Sequence, residues 1–212
     1  KQPKRAAEMA AQVSAWADDL GFALDNKAPL TAPVPTIAIL ASNQLLRFVN
    51  HGVKGETGSL ELDGKSWLDL PAFRVPKVAG GRSLQIKGTI RPSSPSGVVL
   101  AHGGNRAGYS VYLDEGRLCF ATCVNRQRTV VRSSAAIVGS ARFEASWNSW
   151  GEMFLKVNGK LVGRAEAGII RHEPGDSIQI GADLVQPVGN YNAPNHFSGI
   201  IENLTFKYPN GK

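Results

Sequence analysis

Glu61 and Asp63 stand two residues apart in S-L-E-L-D-G-K-S, and on a strand that spacing aims both carboxylates at one face. Paired carboxylates are what acid–base cleavage of a glycosidic bond requires. Gly64-Lys65-Ser66 follows, so the string reads as a solvated strand end entering an Asp-Gly turn. The four histidines, His51, His102, His172 and His196, fall at no metal-ligand spacing, and none neighbours a Ser or Cys in a triad-like context. His102 ends an apolar strand just before Gly103-Gly104, a rim position suited to contact with a sugar. Cys119 and Cys123, in L-C-F-A-T-C-V, would lie on one face of a strand about 13 Å apart. That is too far for a bridge, so they read as two small buried apolar residues.

The arginines are the stronger signal. Arg126, Arg128 and Arg132 lie in V-N-R-Q-R-T-V-V-R, where 126 and 128 could share a face, and Arg106 follows a glycine pair. A guanidinium engages a sulfate ester through paired N–H donors better than an ammonium does. The alternative is an ordinary charged strand edge that discourages aggregation. His102, Asn105 and Tyr109 would shape the rim around Arg106, and the ring of Tyr109 or Tyr191 could stack on a sugar face. The candidate binding set is therefore His102, Asn105, Arg106, Tyr109, Arg126, Arg128 and Tyr191, with no catalytic and no metal-ligating residue.

Charge agrees in direction. Lys plus Arg number 24 against 17 Asp plus Glu, and the resulting +7 suits an anionic partner. Nucleic-acid readers add interleaved aromatics or a recognisable module, and neither is present, so nucleic acid is not expected. No run of 18 apolar residues offers a membrane span.

The elements that must hold these residues follow from composition and period. Hydrophobic residues make up 42% of the 212, enough for a sizeable core, which excludes a disordered chain. Gly 23 and Pro 12 favour a turn-rich strand protein over a helical bundle. Residues 1–21 read as one helix, with Met9, Val13, Trp16 and Leu20 at helical spacing and Gly21 as its stop. Residues 22–56, with three prolines in K-A-P-L-T-A-P-V-P-T, read as a linker and edge segment. From 57 to 212 short alternating or apolar runs are punctuated by turn residues every 8–12 residues or so, the pattern of a two-sheet antiparallel sandwich. Asp114-Glu115-Gly116 and Val157-Asn158-Gly159-Lys160 read as hairpin turns.

The run G-V-V-L-A-H-G-G-N-R-A-G-Y-S-V-Y-L-D-E-G-R-L-C-F-A, at 97–121, resembles the laminin-G-like branch of the concanavalin A-like lectin/glucanase superfamily. So do F-L-K-V-N-G-K-L-V-G-R-A at 154–165, I-Q-I-G-A-D-L-V-Q-P-V-G-N-Y at 178–191 and F-S-G-I-I-E-N-L-T-F-K-Y at 197–208. More narrowly, A-x-G-G-x-x-x-G-Y-x-x-Y-L, P-V-G-x-Y and the opening helix K-R-A-A-E-M-A-A-Q-V-S-A-W-A are similar to the C-terminal part of bacterial arylsulfatase-type sulfatases. The chain begins Lys1-Gln2-Pro3 without an initiator methionine and reads as an excised piece, with the catalytic half upstream.

The resemblance implies a jelly-roll sandwich with one N-terminal helix, a secreted or periplasmic parent, and a non-catalytic accessory role toward sulfated glycan, with an upstream sulfatase catalytic domain as partner. It also implies that the ligand of the candidate binding set is a carbohydrate. A structural domain that packs on the catalytic body or mediates oligomers is the second reading, and a glycoside hydrolase the third. A sulfatase nucleophile needs Cys or Ser followed by x-Pro-x-Arg. Ser93-Ser94-Pro95-Ser96-Gly97 has Gly97 in place of the Arg and reads as a turn. The glucanase pattern E-x-D-x-x-E lacks its last carboxylate after Asp63. Laminin-G-like modules bind calcium through acidic loop residues, and Asp183 is the candidate. One carboxylate with neutral neighbours is a poor hard-cation site, and Asn190 stands where the pattern often has Asp, so no cofactor is expected.

Overall fold

In the computed structural model the described residues are 36–41, 44–56, 58–72, 75 and 77–208, all within the unit Pro35–Lys212. The helix expected over 1–21 and the first part of the expected linker, 22–35, lie outside them. In chain order the strands are β1 (Thr36–Ala41), β2 (Gln44–His51), β3 (Lys54–Glu56), β4 (Ser59–Asp63), β5 (Trp67–Leu70) and β6 (Leu84–Pro92). Then come β7 (Gly97–Gly103), β8 (Ala107–Asp114), β9 (Arg117–Val124), β10 (Gln127–Ala136), β11 (Ala141–Trp147), β12 (Glu152–Val157) and β13 (Lys160–Glu166). The chain finishes with β14 (Ile178–Ile180), β15 (Ala182–Asp183), β16 (Asn195–His196) and β17 (Ser198–Lys207).

Hydrogen bonding runs along a continuous path, β10-β9-β8-β7-β14-β5-β2-β1-β17-β6-β11-β12-β13, with β3 and β4 attached through β17. The path doubles back on itself. Leu100, Val111 and Phe120 from its first half share one buried cluster with Ile86, Phe143 and Leu155 from its second. The two ends of the path meet: a Cβ on Gly163 of β13 would come within 2.6 Å of Val131 Cγ1 on β10. The result is the expected two-layer jelly-roll sandwich, almost wholly antiparallel. Among the described strands the β1–β17 pair is parallel, registered Leu40 to Thr205.

Alternation explains the second layer. In β6, Leu84, Ile86 and Ile90 are buried, while Gln85, Lys87 and Arg91 face outward. Ala141, Phe143, Ala145 and Trp147 do the same in β11. Gly88 is the register partner of Phe143, and a Cβ there would lie 3.0 Å from the Phe143 ring. The glycine leaves room for that ring in the core.

The segment from Thr36 onward corrects the boundary drawn at 57. Ile37, Ile39, Leu46 and Phe48 alternate inward along β1 and β2, and Phe48 stacks on Phe206 with ring centroids 6.4 Å apart. The stretch assigned to a linker and edge segment holds a strand pair whose inner side chains belong to the main core.

The first layer behaves differently. Strands β7, β8 and β9 are buried on both faces along nearly their full length. One face joins the main core. The other forms a second cluster of Val98, Ala101, Tyr112, Cys119 and Ala121, with Val130 and Tyr191 packed on it. Something must therefore cover the outside of this sheet.

Candidate functional site

The cover is the chain between β15 and β16. Its approach depends on glycines whose backbones meet it directly. A Cβ on Gly104 would fall 2.7 Å from Gln186 Cβ and one on Gly108 2.9 Å from Val188 Cγ2, while one on Gly103 would meet Pro174 Cβ of the segment before β14 at 2.7 Å. Gly189 sits between two rings, where a Cβ would lie 2.5 Å from Tyr112 and 2.6 Å from Tyr191. Polar bonds then fasten it. The Arg128 Nε donates to the Val188 carbonyl at 2.7 Å, and its terminal nitrogens donate to Pro187 O at 3.1 Å and Asn190 Oδ1 at 3.3 Å. The Asn190 N–H donates to the Tyr112 hydroxyl at 3.2 Å, and the Tyr191 hydroxyl donates to Asp183 Oδ2 at 2.7 Å.

This cover redraws the expected binding set. Arg128 is a clamp on the covering segment. Tyr191 is held edge-on to Tyr112, ring centroids 4.8 Å apart, with its hydroxyl committed to Asp183. His102 and Tyr109 are not rim residues, being 2% and 0% exposed. They are register partners on the inner face of β7 and β8, packed edge-on with centroids 5.2 Å apart. Burial pushes the His102 imidazole down to about 4, against a weaker opposing contribution from the backbone of Asp176. The Tyr109 hydroxyl lies 3.4 Å from that of Tyr208. Glycines at 103 and 104 let the loops close over His102, so a glycine pair after an apolar strand marked a covered site and not an open one.

The remaining sequence candidates also find places. Glu61 and Asp63 share the exposed side of β4, and the Asp63 Oδ1 accepts the N–H groups of Lys65 and Ser66 at 3.0 and 2.9 Å. Those bonds hold its carboxyl below the ordinary aspartate value and define the expected Asp-Gly turn. Residues 93–96 turn between β6 and β7, pinned where Gly116 N–H donates to Pro95 O at 2.6 Å. Asp183 is buried, which pushes its carboxyl up, while Tyr191 and the backbone N–H groups of Val185 and Val188 oppose that. Among the described residues no three His, Cys, Asp or Glu side chains are grouped as a cation site. Cys119 and Cys123 are free and buried.

An open depression of about 830 Å³ lies at the end of the sandwich where the β7–β8 and β9–β10 turns meet the segment before β14. Ala107, Val124 and Ile170 form its apolar floor. Arg106 and Arg126 stand on one side, joined where the Arg126 N–H donates to the Arg106 carbonyl at 3.2 Å. Arg171 and His172 line it from the segment before β14. Among the described residues none of the three arginines is in an ion pair. Asn105, exposed beside Arg106, is fixed because its carbonyl accepts the Cys123 Sγ–H at 3.1 Å. The acids of the lining are Glu173 and Asp176. Glu173 turns its two oxygens to the N–H groups of Val78 and Ala79, both at 2.9 Å, so it ties the wall to the sandwich.

Arg126 does not share a face with Arg128, because it occupies a hairpin turn. Asn125 and Arg126 have φ of 51° and 67°, matching the paired left-handed residues of the two expected turns, Glu115-Gly116 at 50° and 76° and Asn158-Gly159 at 50° and 80°. A turn of this kind favours glycine at its second central position, and arginine there costs about 1 kcal/mol. Non-glycine residues held in such positions cluster at functional sites. Sequence reading missed Arg171 and His172, because nothing in I-I-R-H-E-P-G-D reports that it folds back beside Arg106.

No protein-family description matches the chain, and no curated protein matches it. Solved structures do. Domains LG4-5 of the mouse laminin alpha1 chain align with a TM-score of 0.59 at 16% identity, over 84% of this chain and 48% of that one. The binding domain of botulinum neurotoxin DC in complex with SialylT aligns at 0.59 and 15%, over 82% and 48%. The botulinum neurotoxin type C structure, described as dependent for cell entry on two ganglioside molecules, aligns at 0.56 and 13%, over 82% and 48%. The chain spans about half the length of these structures. Likeness at this identity shows the fold alone, a two-layer jelly-roll sandwich like that of the laminin LG domains, and leaves function to the site.

Proposed function

We propose that the chain is a non-catalytic carbohydrate-binding module whose site is the depression between Arg106, Arg126 and Arg171, and that its ligand is a sulfated or otherwise anionic glycan. The observation that carries this reading is Arg126, an arginine kept at a turn position that favours glycine and, among the described residues, left without an ionic partner over an open, apolar-lined depression. Three guanidinium groups lining one depression can each offer paired N–H donors to one sulfate ester. Two of the fold neighbours are described with ganglioside or sialyl ligands, which supports a glycan as the partner class.

The test is titration with κ-carrageenan oligosaccharides and their desulfated forms at low and high salt. Sulfated forms bind more tightly at both, with part of the difference screened by salt. Arg106→Ala with Arg126→Ala reduces sulfated binding at least tenfold. Equal affinity of the two forms, or no effect of the paired substitution, overturns the reading.

The finer context is an accessory module at the C-terminal end of a secreted or periplasmic sulfatase, with the upstream catalytic domain as its partner. The similarity of the 97–121 and 178–191 strings and the opening helix to that family supports it. A Cys/Ser-x-Pro-x-Arg motif encoded upstream in the same gene is the expected finding, and its absence removes the sulfatase link. A second reading, docking on the parent's body without sugar, is favoured by the register pair Leu40 and Leu45, which are 46% and 59% exposed.

A further inference from the structure

A glycan chain longer than the arginine depression must lie against whatever surrounds it. The β11–β12 turn stands beside the segment before β14. The Ala167 N–H donates to the Gly151 carbonyl at 2.7 Å, and a Cβ on the next residue, Gly168, would touch Val124 of the depression's floor at 3.2 Å. The turn is therefore joined to that floor through the 167–168 segment. At its tip Trp150 is 83% exposed. Among the described residues it is the one exposed large aromatic side chain. Ile169, 38% exposed, lies alongside, since a Cβ on Gly81 would be 3.5 Å from both Ile169 Cγ2 and Ser149 O.

The turn that holds Trp150 is tightly tied. Asn148 Oδ1 accepts the N–H groups of Trp150 at 3.0 Å and Glu152 at 2.9 Å, and Asn148 Nδ2 donates to Glu152 Oε2 at 2.6 Å. An indole held outward on a fixed backbone offers a flat apolar face with little further ordering on binding. The faces of a pyranose ring carry C–H groups that complement such a surface. A sulfated ring is poorly matched to it, because stacking would strip water from the sulfate without supplying donors.

We propose that Trp150 is a stacking platform for an uncharged pyranose, so that the chain binds oligosaccharides in which a sulfated ring occupies the arginine depression and an unsulfated ring further along the same chain, beyond the reach of a disaccharide, lies over the indole. The inference rests on the arginine depression being the anion site. Among the described residues no other aromatic competes for the role. Trp67 is occupied by His51, stacked at 4.5 Å, and Tyr109 and Tyr112 are buried.

Length dependence separates the two claims. The κ-carrageenan series alternates sulfated with unsulfated rings, and its disaccharide and hexasaccharide are titrated against the full chain and its variants. Trp150→Ala weakens the hexasaccharide about tenfold, the size expected of one lost aromatic contact, and leaves the disaccharide within about twofold. Trp150→Phe restores most of the loss. Arg106→Ala with Arg126→Ala weakens both lengths. If Trp150→Ala changes neither length, or both equally, the platform is overturned while the arginine site stands. If the paired arginine variant changes nothing, or the disaccharide does not bind the wild-type chain, the arginine reading fails and the platform with it. Trp150-dependent binding to phosphatidylcholine vesicles, or Trp150-dependent self-association, also overturns the platform by giving the ring a different partner.

Discussion

The Arg128 Nε lies 2.7 Å from the carbonyl oxygen of Val188, and that bond decides which surface of the sandwich is open. It holds the 184–194 segment over the outer face of β7–β9, where Tyr112, Cys119 and Ala121 would otherwise meet water. A sheet face available in an uncovered sandwich is here apolar interior, and accessible chemistry is displaced to the loops at the end of the layers.

Arg128→Ala therefore acts on stability and leaves recognition largely intact. The guanidinium sits at the surface and two of its three bonds go to backbone carbonyls, so the loss is about 1–2 kcal/mol. Faster amide exchange and proteolysis should be confined to 184–194, with carrageenan affinity changed less than about threefold. Loss of binding as deep as that of Arg126→Ala would show that Arg128 touches ligand.

Most of the sandwich was legible because its strands either alternate against the main core or, where both faces are covered, are apolar nearly throughout. The runs 84–90, 117–124 and 141–147 carry their burial in their spelling. Strand β2 was missed because polar residues interrupt its apolar run, although Leu46 and Phe48 mark its inner face. The proposed site was half legible. Arg106 stood out after a glycine pair and Arg126 in an arginine-rich run. The same glycines misled about His102 and Tyr109, since a residue without Cβ serves a ligand's approach and a loop's approach equally well. Arg171 and Trp150 belong to turns whose placement depends on contacts across the layers, such as Glu173 reaching the backbone of Val78 and Ala79, which no local pattern encodes.

His102 gives the fold a predictable acid sensitivity. Its folded value is about 4 and its unfolded value 6.5, so the unfolded chain takes up a proton that the native state refuses. Stability from this group is present above pH 6.5 and is lost as the pH falls toward 4 and below. The whole effect is about 3 kcal/mol. Urea midpoints measured from pH 7 to pH 4 should fall more steeply for the wild type than for His102→Phe, whose ring keeps the edge-on packing on Tyr109 without titrating. Parallel curves for the two proteins would remove His102 as the cause.

Arg126 joins stability and function in one residue. Its φ of 67° belongs to the left-handed region, where a side chain crowds the following carbonyl and glycine does not. Arg126→Gly relieves that crowding but gives the unfolded chain more freedom, so the net gain is a few tenths to about 1 kcal/mol. Arg126→Ala keeps the crowding and gains nothing. Both variants lose the guanidinium beside Arg106 and should lose the same several-fold affinity for sulfated carrageenan. The expected pattern in thermal melts and titrations is thus a more stable glycine variant and an alanine variant near wild type, equally impaired in binding. If both variants bind as the wild type does, the turn carries arginine for a reason other than ligand. If the glycine variant melts lower than the alanine variant, the strain at this turn is not what separates them.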